Sequence, residues 1–392
     1  MTISIIIIIC VLLLFAYVFD ITSSKTKIPP VILLLALGYL VKQTTVFFEI
    51  SVPNLSAILP VFGTVGLVLI VLEGSLELEL NRSKLPFVGR TVLIALLPML
   101  LFSFILAWLF QYFGNVSLKI ALANAIPLAI ISSSIAIPSV KNLASKEKEF
   151  VTYESSLSDI FGVLFFNFIT LNTDIGATSF GHFAIAIIVI LIISFIATLG
   201  IAYLLSKIKH HIKYAPIILM TVLIYAVSKL YHLPALIFIL LFGLFLGNLD
   251  QLENNKYIHK LHPDILNKEV HKLKELTIEI TFLIRAMFFL LFGFLIETNE
   301  LLNTDTILWS VSICAGIFVI RFLFLKLFRV SLAPLVFIAP RGLITILLFL
   351  NIPADQRIEL AGRSLIIQVI ILTALIMMLG LMMKRKKIEE RI

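Results

Sequence analysis

Thirteen apolar runs, most of them close to the length needed to cross a bilayer, recur along almost the whole chain of 392 residues. A bilayer core of about 30 Å requires about 20 apolar residues in an α-helix. The runs cover residues 3–19, 28–42, 57–76, 91–113, 117–140, 155–172, 182–206, 214–231, 233–249, 278–297, 306–328, 332–350 and 363–383. We therefore predict an all-α polytopic membrane protein with about thirteen transmembrane helices.

The composition excludes the soluble classes of protein. Apolar residues make up 60% of the chain and charged residues 14%, against about 45–50% and about 25% in soluble domains. The mean hydropathy is +1.10. Cys10 and Cys314 both lie inside apolar runs, so neither a disulfide framework nor a zinc site is indicated. With no Gly-rich nucleotide motif and no Ser/His pair within a span, we expect neither a cofactor nor an enzyme.

The basic residues predict the orientation of the chain. With the N-terminus outside and the C-terminus in the cytoplasm, 23 of the 31 Lys and Arg residues fall on the cytoplasmic side and 5 outside. This asymmetry follows the positive-inside rule, and it accounts for the net charge of +8 without a nucleic-acid partner. We expect a multi-pass protein of the cell (inner) membrane that ends in a basic cytoplasmic tail, residues 384–392.

Two spans differ from the others because prolines and polar residues interrupt them. The fifth contains Asn124, Pro127 and a Ser132-Ser133-Ser134 segment, and the twelfth contains Pro340-Arg341-Gly342. The twelfth span comes seven spans after the fifth, an odd number, so the two cross the membrane in opposite directions. Paired broken helices in inverted halves indicate the binding site of a secondary transporter. We predict a transmembrane domain over residues 3–383, with inverted six-helix repeats at about 3–172 and 214–383 and a linker helix at 182–206.

Ionisable residues inside the spans mark a candidate site, because a charge at this depth is costly. Glu154 and Asp159 lie in the sixth span, and Arg321 lies at a similar depth in the eleventh. We expect Arg321 to pair with Glu154 and to leave Asp159 available for a ligand. The alternative is that Arg321 pairs with Asp159 in a static contact. Arg341 follows the second break, where it could cap freed carbonyl groups.

These motifs together resemble the monovalent cation/proton antiporter superfamily, which includes the sodium/hydrogen exchangers. Glu154-Ser-Ser-Leu-Ser158-Asp159 is similar to the Glu-Ser-x-x-Asn-Asp motif of the electroneutral exchangers. The Ser132–Ser134 segment is similar to the crossing segment of the potassium-efflux branch, and Ala339-Pro340-Arg341-Gly342 also matches a family pattern. The chain departs from the motif at Ser158, where the relatives carry Asn or Asp.

The resemblance implies that Asp159 binds the cation and the proton, that Glu154 and Arg321 form a supporting pair, and that the protein is a homodimer. A buried carboxylate can hold either a proton or a partly dehydrated Na⁺ or K⁺, because hard cations favour oxygen ligands. Further ligands would come from the broken helix and the sixth span: Ser132, Ser133, Ser134 and Ser158. One carboxylate that titrates in each cycle predicts electroneutral exchange.

Two other functions remain open at this point. A transporter of a small organic anion would use the three intramembrane arginines, Arg285, Arg321 and Arg341, as ligands. A cation channel of the potassium-efflux type is the second alternative, although no cytosolic nucleotide-binding motif is present.

Overall fold

The computed structural model describes residues 2–389 except for 27, 51, 53–54, 79–81, 142, 173–174, 209, 211 and 250–262. Several of the basic residues that predict the orientation lie outside the described residues: Lys27, Lys209, Lys256, Lys260 and Arg391. In the described part of the chain every regular element is a helix and none is a strand.

The described residues form fifteen α-helices. In chain order they are α1 (Thr2–Thr26), α2 (Pro30–Phe47), α3 (Leu59–Glu77), α4 (Leu85–Gly114), α5 (Leu118–Ala129), α6 (Ser133–Ser139), α7 (Ser145–Leu171), α8 (Ala177–Lys207), α9 (Tyr214–Leu230), α10 (Leu236–Gly247), α11 (Pro263–Leu295), α12 (Thr298–Leu301), α13 (Thr304–Leu327), α14 (Leu343–Leu350) and α15 (Arg363–Glu389).

Each of the thirteen predicted spans has a helical counterpart. Ten stretches of the described residues are long and apolar enough to cross a membrane, with α5 and α6 together forming one of them. The two shorter apolar helices α9 and α10 correspond to the eighth and ninth spans. The twelfth span is represented by a 3₁₀ turn at Leu335–Phe337 followed by α14. The prediction of an all-α polytopic membrane protein is confirmed.

The helix boundaries differ from the predicted ones where charged residues continue a helix. The mixed-charge segment 250–277 reads as a loop in the sequence, yet α11 already begins at Pro263. Within this extension Leu266, Val270, Leu273 and Thr277 are buried, at the spacing of one helical face. The charged residues between them therefore lie on the other faces of the same helix. In the same way, α7 begins ten residues before the predicted span.

The chain divides into two compact units, and each draws on separate parts of the sequence. The first consists of residues 1–64, 91–162 and 283–392, and the second of residues 65–90 and 163–282. The first unit contains both broken spans and all the predicted site residues. In the second, α8, α9 and α10 pack against one another, and Asn248 donates to the carbonyl of Leu78 over 2.8 Å. The inverted six-helix repeats at about 3–172 and 214–383 remain an expectation from the sequence.

A close glycine contact joins α2 and α11 within the first unit. A Cβ placed on Gly293 would lie 2.9 Å from Cα of Leu35, and one placed on Gly38 would lie 2.9 Å from N of Phe294. The neighbouring atoms belong to the backbone, which cannot move aside as a flexible side chain would. The two helices therefore approach each other as closely as small residues allow, as is common between membrane helices.

We predict that Gly293→Ala destabilises the protein by about 1–3 kcal/mol, the usual cost of overpacking. The measurement is the melting temperature of the detergent-solubilised protein, followed by size-exclusion chromatography after heating. Gly181→Ala in α8 is the matched control, because a Cβ there meets no atom within 4 Å. Equal melting temperatures for the two variants would contradict the packing argument.

Candidate functional site: two broken helices around Asp159

The first break separates α5 from α6 at residues 130–132. Ile130 and Ser132 have extended backbone conformations, with ψ of 133° and 117°. Proline on each side, Pro127 in α5 and Pro138 in α6, cannot donate a helical hydrogen bond. The chain therefore leaves the helical conformation at mid-span, at a depth where lipid offers no hydrogen-bond partners.

Other parts of the protein accept hydrogen bonds from the backbone N–H groups that the first break leaves without helical partners. The N–H of Ile131 donates to Oγ of Ser158 over 3.0 Å. The next one, from Ser132, donates to the carbonyl of Pro340 in the second break over 2.9 Å. That of Ser133 donates to Oδ2 of Asp159 over 3.4 Å. Three consecutive backbone groups are thus satisfied by α7 and by the other broken segment.

The second break precedes α14, and two arginines satisfy its carbonyl groups and those of the first break. Nε of Arg321 donates to the carbonyl of Leu335 over 2.7 Å. Arg341 uses all three of its guanidinium nitrogens: Nε donates to Leu128 O (2.8 Å), Nη1 to Ala339 O (2.7 Å) and Nη2 to Ala129 O (3.1 Å). Two of these acceptors are the last carbonyls of α5. The guanidinium therefore lies at the negative end of a half-helix.

Arg321 and Glu154 form a two-pronged ion pair. Nη1 and Nη2 of Arg321 donate to Oε1 and Oε2 of Glu154 over 2.7 and 2.9 Å. Glu154 is 1% exposed and Arg321 is 5% exposed. All three nitrogens of this guanidinium are therefore occupied, two by the carboxylate and one by Leu335.

Asp159 has a different environment from Glu154 although both lie on α7. It is 1% exposed, and Oδ2 accepts hydrogen bonds from the hydroxyl and the N–H of Ser133. Its other oxygen, Oδ1, is buried and has no hydrogen-bond partner among the described residues. Since no Lys or Arg of the described residues lies within salt-bridge distance of it, the carboxylate has an unused ligand atom.

The four serines predicted as ligands occupy different positions around this carboxylate. Ser133 contacts Asp159 directly, and Ser158 contacts the break through Ile131. Ser132 and Ser134 hydrogen-bond to each other over 2.8 Å. All four are buried. The structure thus brings Ser133 to the carboxylate, whereas the described hydrogen bonds of the other three go elsewhere.

The family profile described as "Sodium/hydrogen exchanger, transmembrane" matches residues 9–385 of the chain. The chain belongs to the sodium/hydrogen exchanger family. This is a family of transporters, so the protein is a multi-pass membrane transporter of the cation/proton exchange type and not an enzyme.

Two solved structures share the fold of this exchanger. One is the structure of the sodium proton antiporter MjNhaP1 from Methanocaldococcus jannaschii at pH 8, with a TM-score of 0.67, 20% identity, and coverage of 96% of both chains. The other is a 3D EM map of the same antiporter, with a TM-score of 0.70, 18% identity, and coverage of 96% of this chain and 95% of that chain. No curated protein sequence matches the exchanger.

The structure adds two residues to the site that no sequence motif singled out. A Cβ on Gly162, one turn beyond Asp159 on α7, would overlap the side chain of Ile130 in the first break. The side chain of Thr373 accepts the N–H of Arg341 over 3.1 Å. The sequence signal for Gly162 is a glycine one turn from an intramembrane carboxylate. Its role in packing against the break becomes clear only when the position of Ile130 is known.

We predict that Arg321→Ala lowers the stability of the exchanger by about 3–5 kcal/mol, because Glu154 would remain buried without its partner. Folded yield and melting temperature in detergent are the measurements. Lys326→Ala, which removes an exposed charge from the same helix, is the control and should have little effect. The double variant Glu154→Gln with Arg321→Met should recover much of the loss, because it leaves no unpaired charge. A single variant as stable as the wild type would refute the assignment.

Proposed function

We propose that this exchanger moves a monovalent cation, Na⁺ or K⁺, in one direction and protons in the other by competition at Asp159. The observation that carries the proposal is the unpartnered Oδ1 of a buried carboxylate beside the first break. Membership of the sodium/hydrogen exchanger family supports this reading and favours Na⁺.

The competition follows from the cost of burying an unpaired charge. An ionised carboxylate without a partner is unstable out of water, and Arg321 already has Glu154 as its partner. A proton neutralises Asp159, and so does a cation bound to its oxygens. Because the same oxygen atoms serve both ligands, the two cannot occupy the site together. If only the neutralised site crosses the membrane barrier, the exchange is obligatory.

Oxygen atoms around the break supply the remaining ligands in this proposal. Hard monovalent cations favour hydroxyl, carbonyl and carboxylate oxygens. The Ser133 hydroxyl lies against Asp159, and Ser132, Ser134 and Ser158 lie in or against the same break. Arg341 compensates the carbonyl end of α5, and the Glu154–Arg321 pair supports the fold around the carboxylate.

The contacts of two of the three intramembrane arginines argue against an organic-anion transporter. Arg321 and Arg341 line a common cavity, but each guanidinium nitrogen of both residues already donates to Glu154 or to a backbone carbonyl. An anion would have to displace these contacts. A channel of the potassium-efflux type finds no specific support in the described contacts.

The setting of the transporter belongs to the same proposal. The asymmetry of the basic residues supports a cell (inner) membrane location with the N-terminus outside and the C-terminus in the cytoplasm. The pair of broken spans supports the inverted repeats. A homodimer is what the family resemblance implies, and it stays a prediction.

We predict that Asp159→Asn abolishes exchange and leaves folding and membrane insertion intact, because the amide keeps the shape of the carboxylate but cannot carry the charge. The assay uses purified protein in liposomes with a trapped pH-sensitive dye and an external pulse of Na⁺ or K⁺. A cation-dependent pH change in the wild type that is lost in the variant is the expected result, and it also identifies the ion.

Asp305→Asn is the matched control for this experiment. It makes the same substitution at an exposed carboxylate in the first turn of α13, and normal exchange is expected. Substantial exchange by folded Asp159→Asn would mean that another group carries the ions. A folded wild type that gives no pH change with either cation would overturn the exchange itself.

Electroneutral exchange is a separate prediction, based on one titrating carboxylate in each cycle. One proton then exchanges for one monovalent cation, and no net charge crosses the membrane. The initial rate in liposomes should stay constant when a membrane potential is imposed at fixed ion gradients. A rate that rises steeply with voltage would show that a second charge moves with the cycle.

A further inference from the structure

A second group of buried oxygens lies on the outer half of the first broken helix, six residues before the break. Asn124 of α5 is 1% exposed. Its Nδ2 donates to the carbonyls of Ile120 (2.8 Å) and Gln356 (2.6 Å). Among the described residues, its Oδ1 receives one long contact, 3.5 Å from the backbone N of Ile358. The amide oxygen therefore keeps acceptor capacity.

Gln356, whose main-chain carbonyl accepts from Asn124, also carries a side-chain oxygen with no partner among the described residues. It lies at the end of the 3₁₀ turn Ala354–Gln356 between α14 and α15, and 91% of its surface is buried. Its Oε1 is fully buried and has no hydrogen-bond donor among the described residues. A buried acceptor without a donor is uncommon in folded proteins, and an ion that binds there is one of the ways to satisfy it.

Proline supplies a third oxygen within the same turn of α5. Pro127 has no N–H, so the carbonyl of Ala123, four residues earlier, lacks its helical donor. Arg357 is next to Gln356, but its guanidinium donates to the carbonyls of Leu350 and Ile352 at the end of α14. Among the described hydrogen bonds, no cationic side chain serves as a partner for the Asn124–Gln356 group.

We propose that Asn124, Gln356 and the carbonyl of Ala123 form a second, transient cation site on the predicted outer side of Asp159. This inference rests on the proposed exchange function. Neutral carbonyl and amide oxygens replace the hydration shell of a monovalent cation, as backbone carbonyls do in channel filters. Because the group holds no negative charge, it binds the ion weakly and releases it readily. The ion loses part of its water here before it reaches the carboxylate.

The test compares transport from the two sides of the membrane, using right-side-out and everted vesicles. Gln356→Leu removes the oxygen and keeps a similar size. It should raise the KM for the cation added to the outer side by about three- to tenfold, the size of effect expected for one neutral polar contact. The maximal rate and the KM measured from the cytoplasmic side should not change.

Gln356→Glu tests the same site in the opposite direction, because a carboxylate should lower the outer KM. Ala354→Glu is its control: it places the same charge at an exposed position of the same turn, and no comparable decrease is expected. A purely structural role for Gln356 would not produce a decrease specific to the Glu variant. If Gln356→Leu does not fold, the two Glu variants decide the matter.

Three results would overturn the second site: an unchanged outer KM in both Gln356 variants, an equal change from both sides, or a change from the cytoplasmic side alone. Each of these results can be read only when the wild type shows exchange. Failure of the second site is therefore distinct from failure of the proposed function, which the Asp159→Asn experiment detects independently.

Discussion

The fold of the first unit depends on how three consecutive backbone N–H groups are satisfied inside a membrane span. Ile131, Ser132 and Ser133 interrupt a helix where no solvent can replace the lost hydrogen bonds. Their acceptors are a serine hydroxyl, a carbonyl of the other broken segment and a carboxylate. None of these acceptors is local in sequence, so the break is stable only when α7 and the second broken segment are in place. The hydrogen bonds that stabilise the break are therefore also the ones that position the groups of the candidate site.

The spacing of two carboxylates along α7 explains why one is paired and the other is not. Glu154 and Asp159 are five residues apart, which places them about 140° apart around the helix axis. The guanidinium of Arg321 uses both of its terminal nitrogens on Glu154 and cannot also reach around the helix. Arg341 is held by carbonyl groups of both breaks. Both arginines in the region are thus committed to structural partners, and Oδ1 of Asp159 keeps the free acceptor capacity on which the proposed exchange depends.

The sequence predicts the spans well because apolar run length is a local property. It also predicts the two breaks, since closely spaced prolines and serines disfavour a continuous helix within an apolar run. The start of α11 at Pro263 was missed because charged residues on the exposed faces of a helix resemble a loop when only local composition is considered. The differing hydrogen bonds of Ser132, Ser133, Ser134 and Ser158 were unpredictable for a separate reason. Which serine meets the carboxylate depends on the crossing of two segments some 200 residues apart, and composition does not report that geometry.

The half of the broken helix that is predicted to face outward has a chemistry distinct from that of the break itself. Around Asp159 a formal charge must be neutralised before the site is stable, which favours a firmly bound proton or cation. Around Asn124 and Gln356 the oxygens are neutral, so the proposed second site carries no comparable electrostatic cost when empty and would hold an ion only loosely. A cation that passes from water to neutral oxygens and then to a carboxylate loses its hydration in two smaller steps instead of one large step. In this proposal the gradation favours fast exchange, because a single site strong enough to strip the whole hydration shell would also release the ion slowly.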